Sequence, residues 1–121
     1  MNGPAPILVV DDDTDLRETL GELLHEEGYE ARLCENGRVA LELLRHGPLP
    51  RLILLDLMMP EMNGWQFRED QLEDAGLRDI PVVVMTASRG FDGHPIHASE
   101  VLFKPIGLGE LMSAVERNAR G

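Results

Sequence analysis

Three short blocks of consecutive apolar residues constrain the fold of this chain more than any other feature of its sequence. They cover residues 7–10, 52–55 and 82–85, and amphipathic stretches separate them. Uninterrupted apolar runs of this length are typical of strands that are buried on both faces, as in a parallel sheet covered by helices. Residues 29–35 alternate between apolar and polar and predict a strand at or near a sheet edge, and residues 101–103 are a fifth, very short candidate.

Apolar residues at helical spacing fill the intervals between the predicted strands. Asp15 and Glu18 resemble a capping box at the start of the first helix, and Gly28 is expected to end it. Asn36 and Gly47 are expected to bound the second helix. The four apolar stripes consist of Leu16, Leu20, Leu23 and Leu24; Val39, Ala40, Leu43 and Leu44; Trp65, Phe67, Leu72 and Ala75; and Leu108, Leu111, Met112, Val115 and Ala119.

This alternation of strands and helices predicts βαβ units, and therefore an α/β fold in which a parallel sheet lies between two helical layers. No repeat or linker interrupts the pattern, so we expect residues 1–121 to form a single domain. The stretch 88–99 is the exception, because two glycines and a proline leave little room there for a full helix. We expect the helix between the fourth and fifth strands to be short, irregular or missing.

The charge balance excludes several classes of partner. The 121 residues include 11 Lys and Arg against 22 Asp and Glu, which gives a formal net charge of −11. Nucleic acid and anionic membrane surfaces repel such a chain, so we expect neither as a direct partner. No apolar run approaches the ~20 residues of a membrane-spanning helix, and the N-terminus has no signal-peptide pattern. The single cysteine, Cys34, excludes an internal disulfide and a multi-cysteine zinc site, and we expect a cytoplasmic protein.

Polar residues that could perform chemistry follow the predicted strands. In open parallel sheets, functional sites lie beyond the carboxyl ends of the strands. The first strand is followed by three aspartates at 11–13, the third by Asp56, the fourth by Thr86 and the fifth by Lys104. If these strand ends converge, the site contains at least three carboxylates, a hydroxyl and an ammonium group.

This set of groups suits phosphoryl transfer. Clustered carboxylates repel each other unless a cation compensates their charge, and short oxygen ligands of this kind favour Mg²⁺. A carboxylate beside Mg²⁺ can attack phosphorus and form an aspartyl-phosphate, while the metal, a lysine and a hydroxyl neutralise charge on the transferring group. Alone, each residue has an ordinary explanation, since strand-end aspartates are commonly turn or cap residues and Asp13 and Asp15 suit the first turn of a helix. Their joint occurrence at one sheet edge favours a functional site.

Four segments of the chain together resemble the response-regulator receiver domain. They are the apolar run that ends in Asp11-Asp12-Asp13, the segment from Asp56 through Pro60 to Gly64, the pair Thr86-Ala87, and Lys104-Pro105. In this order and spacing the motifs are highly specific, and they extend over essentially the full chain. The resemblance implies a flavodoxin-like, doubly wound (βα)5 fold with five parallel strands in the order 2-1-3-4-5.

The resemblance also implies a role for each residue of the predicted metal site. Asp56 corresponds to the phosphoacceptor. Asp12 and Asp56 correspond to direct Mg²⁺ ligands, and Asp11 to a ligand that acts through water. The backbone carbonyl of Met58 completes the protein ligands, and Mn²⁺ is an alternative metal.

Switch and loop residues follow from the same resemblance. Thr86, with Ala87 beside it, corresponds to the switch hydroxyl that follows the phosphoryl group, and Lys104 to the ammonium that pairs with it. The family's loop and cis-proline positions are occupied by Pro60, Gly64 and Pro105. The peptide bond before the last of these is expected to be cis.

The chain departs from the family pattern in two places. The segment between Thr86 and Lys104 is several residues shorter than usual, and Val101 occupies the position of the rotating switch aromatic. Phe103 lies too close to the lysine to be the counterpart of that aromatic. The catalytic set is therefore complete, while the standard output surface is altered.

The leading functional hypothesis is a phosphoacceptor switch of a two-component phosphorelay. A histidine kinase or a phosphotransfer protein would phosphorylate Asp56 with the help of Mg²⁺, and the switched surface would act on an unknown downstream protein target. Met58 and Ser88 occupy the positions that tune the lifetime of the phosphoryl group in this family. Neither supplies a strong charge to orient an attacking water, so we expect slow or moderate self-dephosphorylation.

Two alternatives belong to other functional classes. The first is a receiver-like interaction scaffold with phosphate-independent output, which the shortened segment and Val101 favour. The second is a phosphohydrolase of the haloacid-dehalogenase type, but Asp15 and Met58 do not fit the motif of that family. We therefore expect no enzyme that acts on an external substrate, but only self-phosphorylation from a phosphodonor and self-dephosphorylation.

Overall fold

The computed structural model describes residues 5–59, 61–87, 96 and 98–119, and within this part the chain forms five strands and four helices. The strands are β1 (Ile7–Val10), β2 (Ala31–Cys34), β3 (Leu52–Asp56), β4 (Val82–Thr86) and β5 (Glu100–Phe103). The helices are α1 (Thr14–Glu26), α2 (Gly37–His46), α3 (Gly64–Glu73) and α4 (Leu108–Asn118). None of these four helices has the length and apolar composition that a membrane crossing requires.

All five strands run parallel in one sheet of order β2-β1-β3-β4-β5, which confirms the predicted flavodoxin-like fold class. Since β1 and β3 are neighbours, the chain reverses its winding direction between them, and a crevice forms at this switch point beyond the carboxyl ends. The register pairs Val10 with Leu55 and Asp56 with Met85. The residues that follow β1 therefore emerge beside the end of β3.

Alternate residues of the central strands face opposite helical layers. In β1, Leu8 and Val10 join an apolar cluster with α2 and α3, whereas Ile7 and Val9 pack with α1 and α4. Every residue of β3 and β4 is buried. The uninterrupted apolar blocks of the sequence thus have a simple cause, because both faces of these strands are covered.

The start of α1 differs from the prediction. Asp13 is the N-cap, and its carboxylate accepts a hydrogen bond of 3.1 Å from the N–H of Leu16. Asp15 lies inside the first turn, so the predicted capping box of Asp15 and Glu18 is wrong. A carboxylate one residue before the helix reaches the free N–H groups of the first turn, which a residue already inside the helix does not.

Strand β2 begins two residues later than predicted because the preceding residues close α1. Gly28 ends the helix as expected and adopts a positive φ of 91°, which favours glycine. The next N–H, that of Tyr29, donates to the carbonyl of Leu24 at 2.9 Å. Tyr29 therefore belongs to the helix end, and the strand begins at Ala31.

The predicted bounds of α2 are confirmed, whereas the apolar stripe predicted for α3 is wrong in its second half. Asn36 and Gly47 cap α2 at its two ends. In α3, Leu72 is 37% exposed, and Ala75 lies beyond the helix and is exposed. Gln71 is buried in their place, and its amide donates to two backbone carbonyls of the turn that leads into β4.

The helix predicted to be short, irregular or missing between β4 and β5 falls mainly on residues 88–95 and 97, which lie outside the described residues. The described residues of this connection, 87, 96, 98 and 99, are not helical. The next helix is α4, and its buried stripe begins at Leu111, since Leu108 is 53% exposed.

Candidate functional site

Four of the predicted site residues meet at the carboxyl edge of the sheet. Asp11 follows β1, Asp56 ends β3 and Thr86 ends β4, and their exposed fractions are only 0%, 4% and 0%. Asp12 lies beside them and is exposed. Single carboxylate oxygens of Asp11, Asp12 and Asp56 all lie within 4.8 Å of one another. The order of the parallel strands thus brings together carboxylates that are 45 positions apart in the chain (11 to 56).

Lys104 brings a positive charge to the two buried carboxylates. Its Nζ donates to Asp11 Oδ2 at 2.9 Å and lies 3.7 Å from Asp56 Oδ1. The backbone N–H of Lys104 donates to the carbonyl of Thr86 at 2.8 Å, so the ends of β4 and β5 are joined at the site. The peptide bond between Lys104 and Pro105 is cis, as predicted.

Asp11 accepts hydrogen bonds at three oxygens. Its Oδ1 accepts from the N–H of Asp13 at 2.9 Å, its Oδ2 from Lys104, and its backbone carbonyl from Arg17 Nη1 at 2.8 Å. Arg17 is not among the residues predicted for the site. A signal for it exists, because a cation near the N-terminus of a helix opposes the helix dipole and is expected only where it has a specific partner.

Gly64 allows the first turn of α3 to approach the end of β3. Its N–H donates to the carbonyl of Leu57 at 2.9 Å. A Cβ at this position would lie 2.8 Å from the Asp56 carbonyl oxygen, a separation that Cβ atoms do not adopt. Glycine is therefore required for close approach to the backbone of Asp56. Pro60, predicted to shape the same loop, lies outside the described residues.

Met58 faces solvent with its side chain and the site with its backbone. The side chain is 61% exposed, and the N–H donates to Asp56 Oδ1 at 3.4 Å. The proposed ligand role of its carbonyl stays a prediction. Ala87, directly after β4, is exposed, and Ser88 lies outside the described residues.

The position expected for the switch aromatic is only partly buried. Val101 is half-buried in β5, pairs with Val84 of β4, and packs against the apolar cluster beneath α2 and α3. Phe103 is paired with Thr86 one step nearer the site. A valine side chain is too small to rotate between a buried and an exposed position as an aromatic ring can.

The electrostatics of the site favour a cation. Burial, followed by the nearby carboxylate of Asp11, raises the pKa of Asp56 from 3.8 to about 6, although Lys104 acts in the opposite direction. For Lys104, burial opposes the charged form, but the hydrogen bond to Asp11 and the charges of Asp56 and Asp11 outweigh it and raise the pKa. One lysine thus compensates the carboxylates only in part.

The three carboxylates fit a magnesium ion. They are hard oxygen donors, and Mg²⁺ is bound in proteins by one or two carboxylates with water in the remaining positions. Oxygens bound at about 2.1 Å to one ion lie at most roughly 4.2 Å apart, so Asp12 and Asp56 need only small side-chain movements to bind one directly, with Asp11 near enough to act through water. Among the described residues, no other group of His, Cys, Asp and Glu side chains has such spacing.

Cys34 is not suited to nucleophilic chemistry. It is buried at the end of β2, and this burial raises the pKa of its thiol to about 11. The side chain is therefore a neutral thiol at neutral pH and packs as a small apolar group.

A sequence model of the response regulator receiver domain matches residues 7–116. Among curated proteins, response regulator Rre1 of Synechocystis is 36% identical over 124 residues, an alignment that covers 98% of this chain and 52% of Rre1. Response regulator MprA of Mycolicibacterium vanbaalenii is 39% identical over 114 residues, covering 91% of this chain and 48% of MprA. The chain thus spans about half the length of the curated relatives it matches.

Solved structures agree with this match. The signal receiver domain of a signal transduction histidine kinase from Syntrophus aciditrophicus superposes with a TM-score of 0.87 at 33% identity, covering 95% of this chain and 89% of that one. A putative response regulator from Chloroflexus aurantiacus superposes with a TM-score of 0.85 at 27% identity, covering 97% and 98%.

Proposed function

This chain belongs to the response regulator receiver domain family, and from that premise we propose that it is a phosphoacceptor switch in two-component signalling, with Asp56 as the acceptor. The observation that supports this role most directly is the position of Asp56 at the centre of the charged groups. Its carboxylate lies within 4.8 Å of those of Asp11 and Asp12 and 3.7 Å from Lys104 Nζ. It ends β3, the middle strand of the sheet, at the switch point where α/β folds bind ligands.

In the proposed reaction, the donor is a phosphohistidine of a histidine kinase or a phosphotransfer protein. A carboxylate oxygen of Asp56 forms a bond to phosphorus while the P–N bond breaks, and the imidazole, protonated on its other nitrogen, leaves as a neutral ring. Asp12, Asp56 and the carbonyl of Met58 would hold Mg²⁺ directly, with Asp11 acting through water, and the ion would supply positive charge for the phosphoryl oxygens. The pKa of about 6 leaves Asp56 mainly ionised at neutral pH, as a nucleophile must be.

Lys104 and Thr86 complete the proposed switch. Before transfer, the ammonium of Lys104 pairs with Asp11 and Asp56. Phosphorylation adds negative charge at Asp56, and we expect the ammonium and the Thr86 hydroxyl to move toward the phosphoryl oxygens that carry it. Since the two residues are joined by a backbone hydrogen bond, a movement of either is transmitted to the ends of both β4 and β5.

The proposal includes a place in the cell and a class of partner. We place the chain in the cytoplasm, with a protein as its downstream target and with no reaction on an external substrate beyond accepting and losing phosphate. Relatives named as response regulators support the signalling role.

The test is phosphorylation of the chain by acetyl phosphate. We expect a single phosphoryl adduct in the intact mass when Mg²⁺ is present, labile to hydroxylamine, and absent both from Asp56→Asn and from wild type in EDTA. Asp70→Asn is a matched control, since it removes a carboxylate on α3 away from the described cluster and leaves the adduct intact. If neither acetyl phosphate nor a phosphohistidine donor forms an adduct, the proposal is contradicted.

A phosphate-independent interaction scaffold is the second candidate, and Val101 is the observation that favours it. In the family that this chain resembles, a rotating aromatic at this position connects the site to the surface, and here the position is occupied by a valine that packs against the apolar cluster. Amide hydrogen exchange of β4 and β5 distinguishes the two candidate functions. We expect the exchange rates to change on phosphorylation if the chain is a switch and to stay constant if it is a scaffold.

A further inference from the structure

We propose that Arg17 is a positioning residue for the metal site, which fixes the backbone between Asp11 and Asp12 so that the Asp12 carboxylate lies beside Asp56. The inference rests on the proposed function, because it takes these three aspartates as the ligands of Mg²⁺. It adds a residue that the ligand set does not contain.

Arg17 reaches back over the loop that joins β1 to α1. Its Nη1 donates to the carbonyl of Asp11 at 2.8 Å, and its Nη2 lies 3.4 Å from Thr14 Oγ1. Its own backbone N–H donates to the carbonyl of Asp13 at 2.9 Å, as one of the first hydrogen bonds of the helix. One residue thus binds both ends of the loop that contains Asp12.

The hydrogen bond from Arg17 to the Asp11 carbonyl determines the position of the Asp12 backbone. That carbonyl and the N–H of Asp12 belong to one planar peptide unit, so fixing the oxygen also fixes the orientation of the plane and the position of the Asp12 Cα. Asp12 depends on this more than its neighbours, because no hydrogen bond holds its carboxylate within the described part of the chain. By contrast, Asp11 and Asp13 have side-chain hydrogen bonds of their own.

The guanidinium group suits this task better than an ammonium does. Its nitrogens lie in a rigid plane and can donate to two acceptors in different directions at once. A lysine at position 17 would keep the charge but would offer one donor group on a flexible stem. We therefore expect geometry, in addition to charge, to matter at this position.

The loss of charge and the loss of positioning predict opposite changes in the Mg²⁺ affinity of an Arg17 variant, so the direction of the change distinguishes them. Removal of a positive charge near three aspartates strengthens the attraction of the site for a dication. Loss of the hydrogen bond to Asp11 allows the peptide plane to turn and weakens the binding of that dication. A fall in Mg²⁺ affinity in Arg17→Met therefore reports positioning and cannot arise from the lost charge.

The experiment is titration of the full chain with MgCl2 by isothermal calorimetry at pH 7.5, repeated with Mn²⁺ by electron paramagnetic resonance. We expect Arg17→Met to bind either metal at least about tenfold more weakly than wild type, as is typical when a group that orients a ligand is removed. Arg17→Lys should fall between the two. Arg45→Met, which removes the same charge from the exposed last turn of α2, should bind like wild type.

Each other outcome has a definite meaning. Unchanged or tighter metal binding by Arg17→Met, with the wild type binding normally, overturns this inference alone. A wild type that binds neither metal overturns the proposed function and the inference with it. Urea unfolding of each variant establishes that it is folded, and if Arg17→Met is not folded, Arg17→Lys decides, since wild-type affinity in that variant overturns the inference.

Discussion

At Asp56, chemistry and stability make opposing demands on one side chain. The carboxylate must lie near Asp11 and Asp12 to share a cation with them, yet it is 4% exposed and, among the described residues, Lys104 is its one neighbouring positive group. The raised pKa of about 6 expresses this conflict, because the metal-free folded protein holds a proton on Asp56 more tightly than the unfolded chain does.

Asp56→Asn should therefore stabilise the metal-free protein in a pH-dependent way. Between the ordinary pKa near 3.8 and the folded value of about 6, the folded state binds more protons than the unfolded state, so this carboxyl lowers the stability as the pH rises. The full effect, roughly 2 kcal/mol and at most about 3, is reached above pH 6. Urea unfolding in EDTA at pH 4 to 7.5 should give an advantage of Asp56→Asn that grows with pH.

Asp70→Asn on α3 provides the comparison for that measurement, since it changes the same group at a position outside the cluster. If the gain in the free energy of unfolding from Asp56→Asn is constant across the pH range, or largest at pH 4, the raised pKa of Asp56 is contradicted.

The sequence predicts which residues belong to the site where these residues lie at the end of a strand. Asp11, Asp56 and Thr86 each follow or end an apolar block, and parallel strands bring such ends together. Arg17 was not predictable in this way, because its contact depends on a long side chain that turns back across a loop. The ligand roles of Asp12 and Met58 stay predictions.

At the scale of elements, strands were easier to predict than the ends and faces of helices. A strand buried on both faces needs only a run of apolar residues, so β1, β3 and β4 could be located to within a residue. A helix face depends on what packs against it. In α3, the buried position belongs to a polar residue, Gln71, whose amide closes the turn into β4, and no apolar pattern can indicate that.

Two glycines at the starts of helices should respond in opposite ways to alanine. Gly64→Ala places a Cβ 2.8 Å from the Asp56 carbonyl and should destabilise the protein by about 1–3 kcal/mol, because the backbone must shift. It should also slow phosphorylation by acetyl phosphate, since Asp56 moves with its carbonyl. Gly109→Ala has no atom within 4 Å and lies in α4, so it should stabilise by up to about 1 kcal/mol.

Urea unfolding and the rate of adduct formation measure both glycine variants. Equal effects of the two substitutions on stability would argue against close approach as the reason for glycine at position 64.

For the whole molecule, the formal net charge is −11, and the three clustered carboxylates at the carboxyl edge of the sheet add a local repulsion that lowers stability. A cation bound there should relieve it. We expect Mg²⁺ to raise the free energy of unfolding by about 2.7 kcal/mol at a concentration one hundred times its dissociation constant. The gain should largely disappear in Asp12→Asn, which removes one proposed ligand.

Unfolding by urea in MgCl2, in EDTA and in NaCl of equal ionic strength measures this gain and separates it from general screening. If NaCl stabilises the protein as much as MgCl2 does, the effect is screening, and the proposed metal site is contradicted.

Arg51 connects the two ends of the described chain. Its Nε donates to the carbonyl of Ala5 at 2.8 Å and its Nη1 to the carbonyl of Ala119 at 3.1 Å. Both lie at the amino edge of the sheet, opposite the aspartates, since the strands begin there and α4 ends there. The two ends of the described chain therefore lie close together, on the side of the sheet away from the aspartates. We expect the aspartate site to be preserved in circular permutants in which a short peptide joins residues 5 and 119. We expect the same when the domain is inserted into a loop of a host protein.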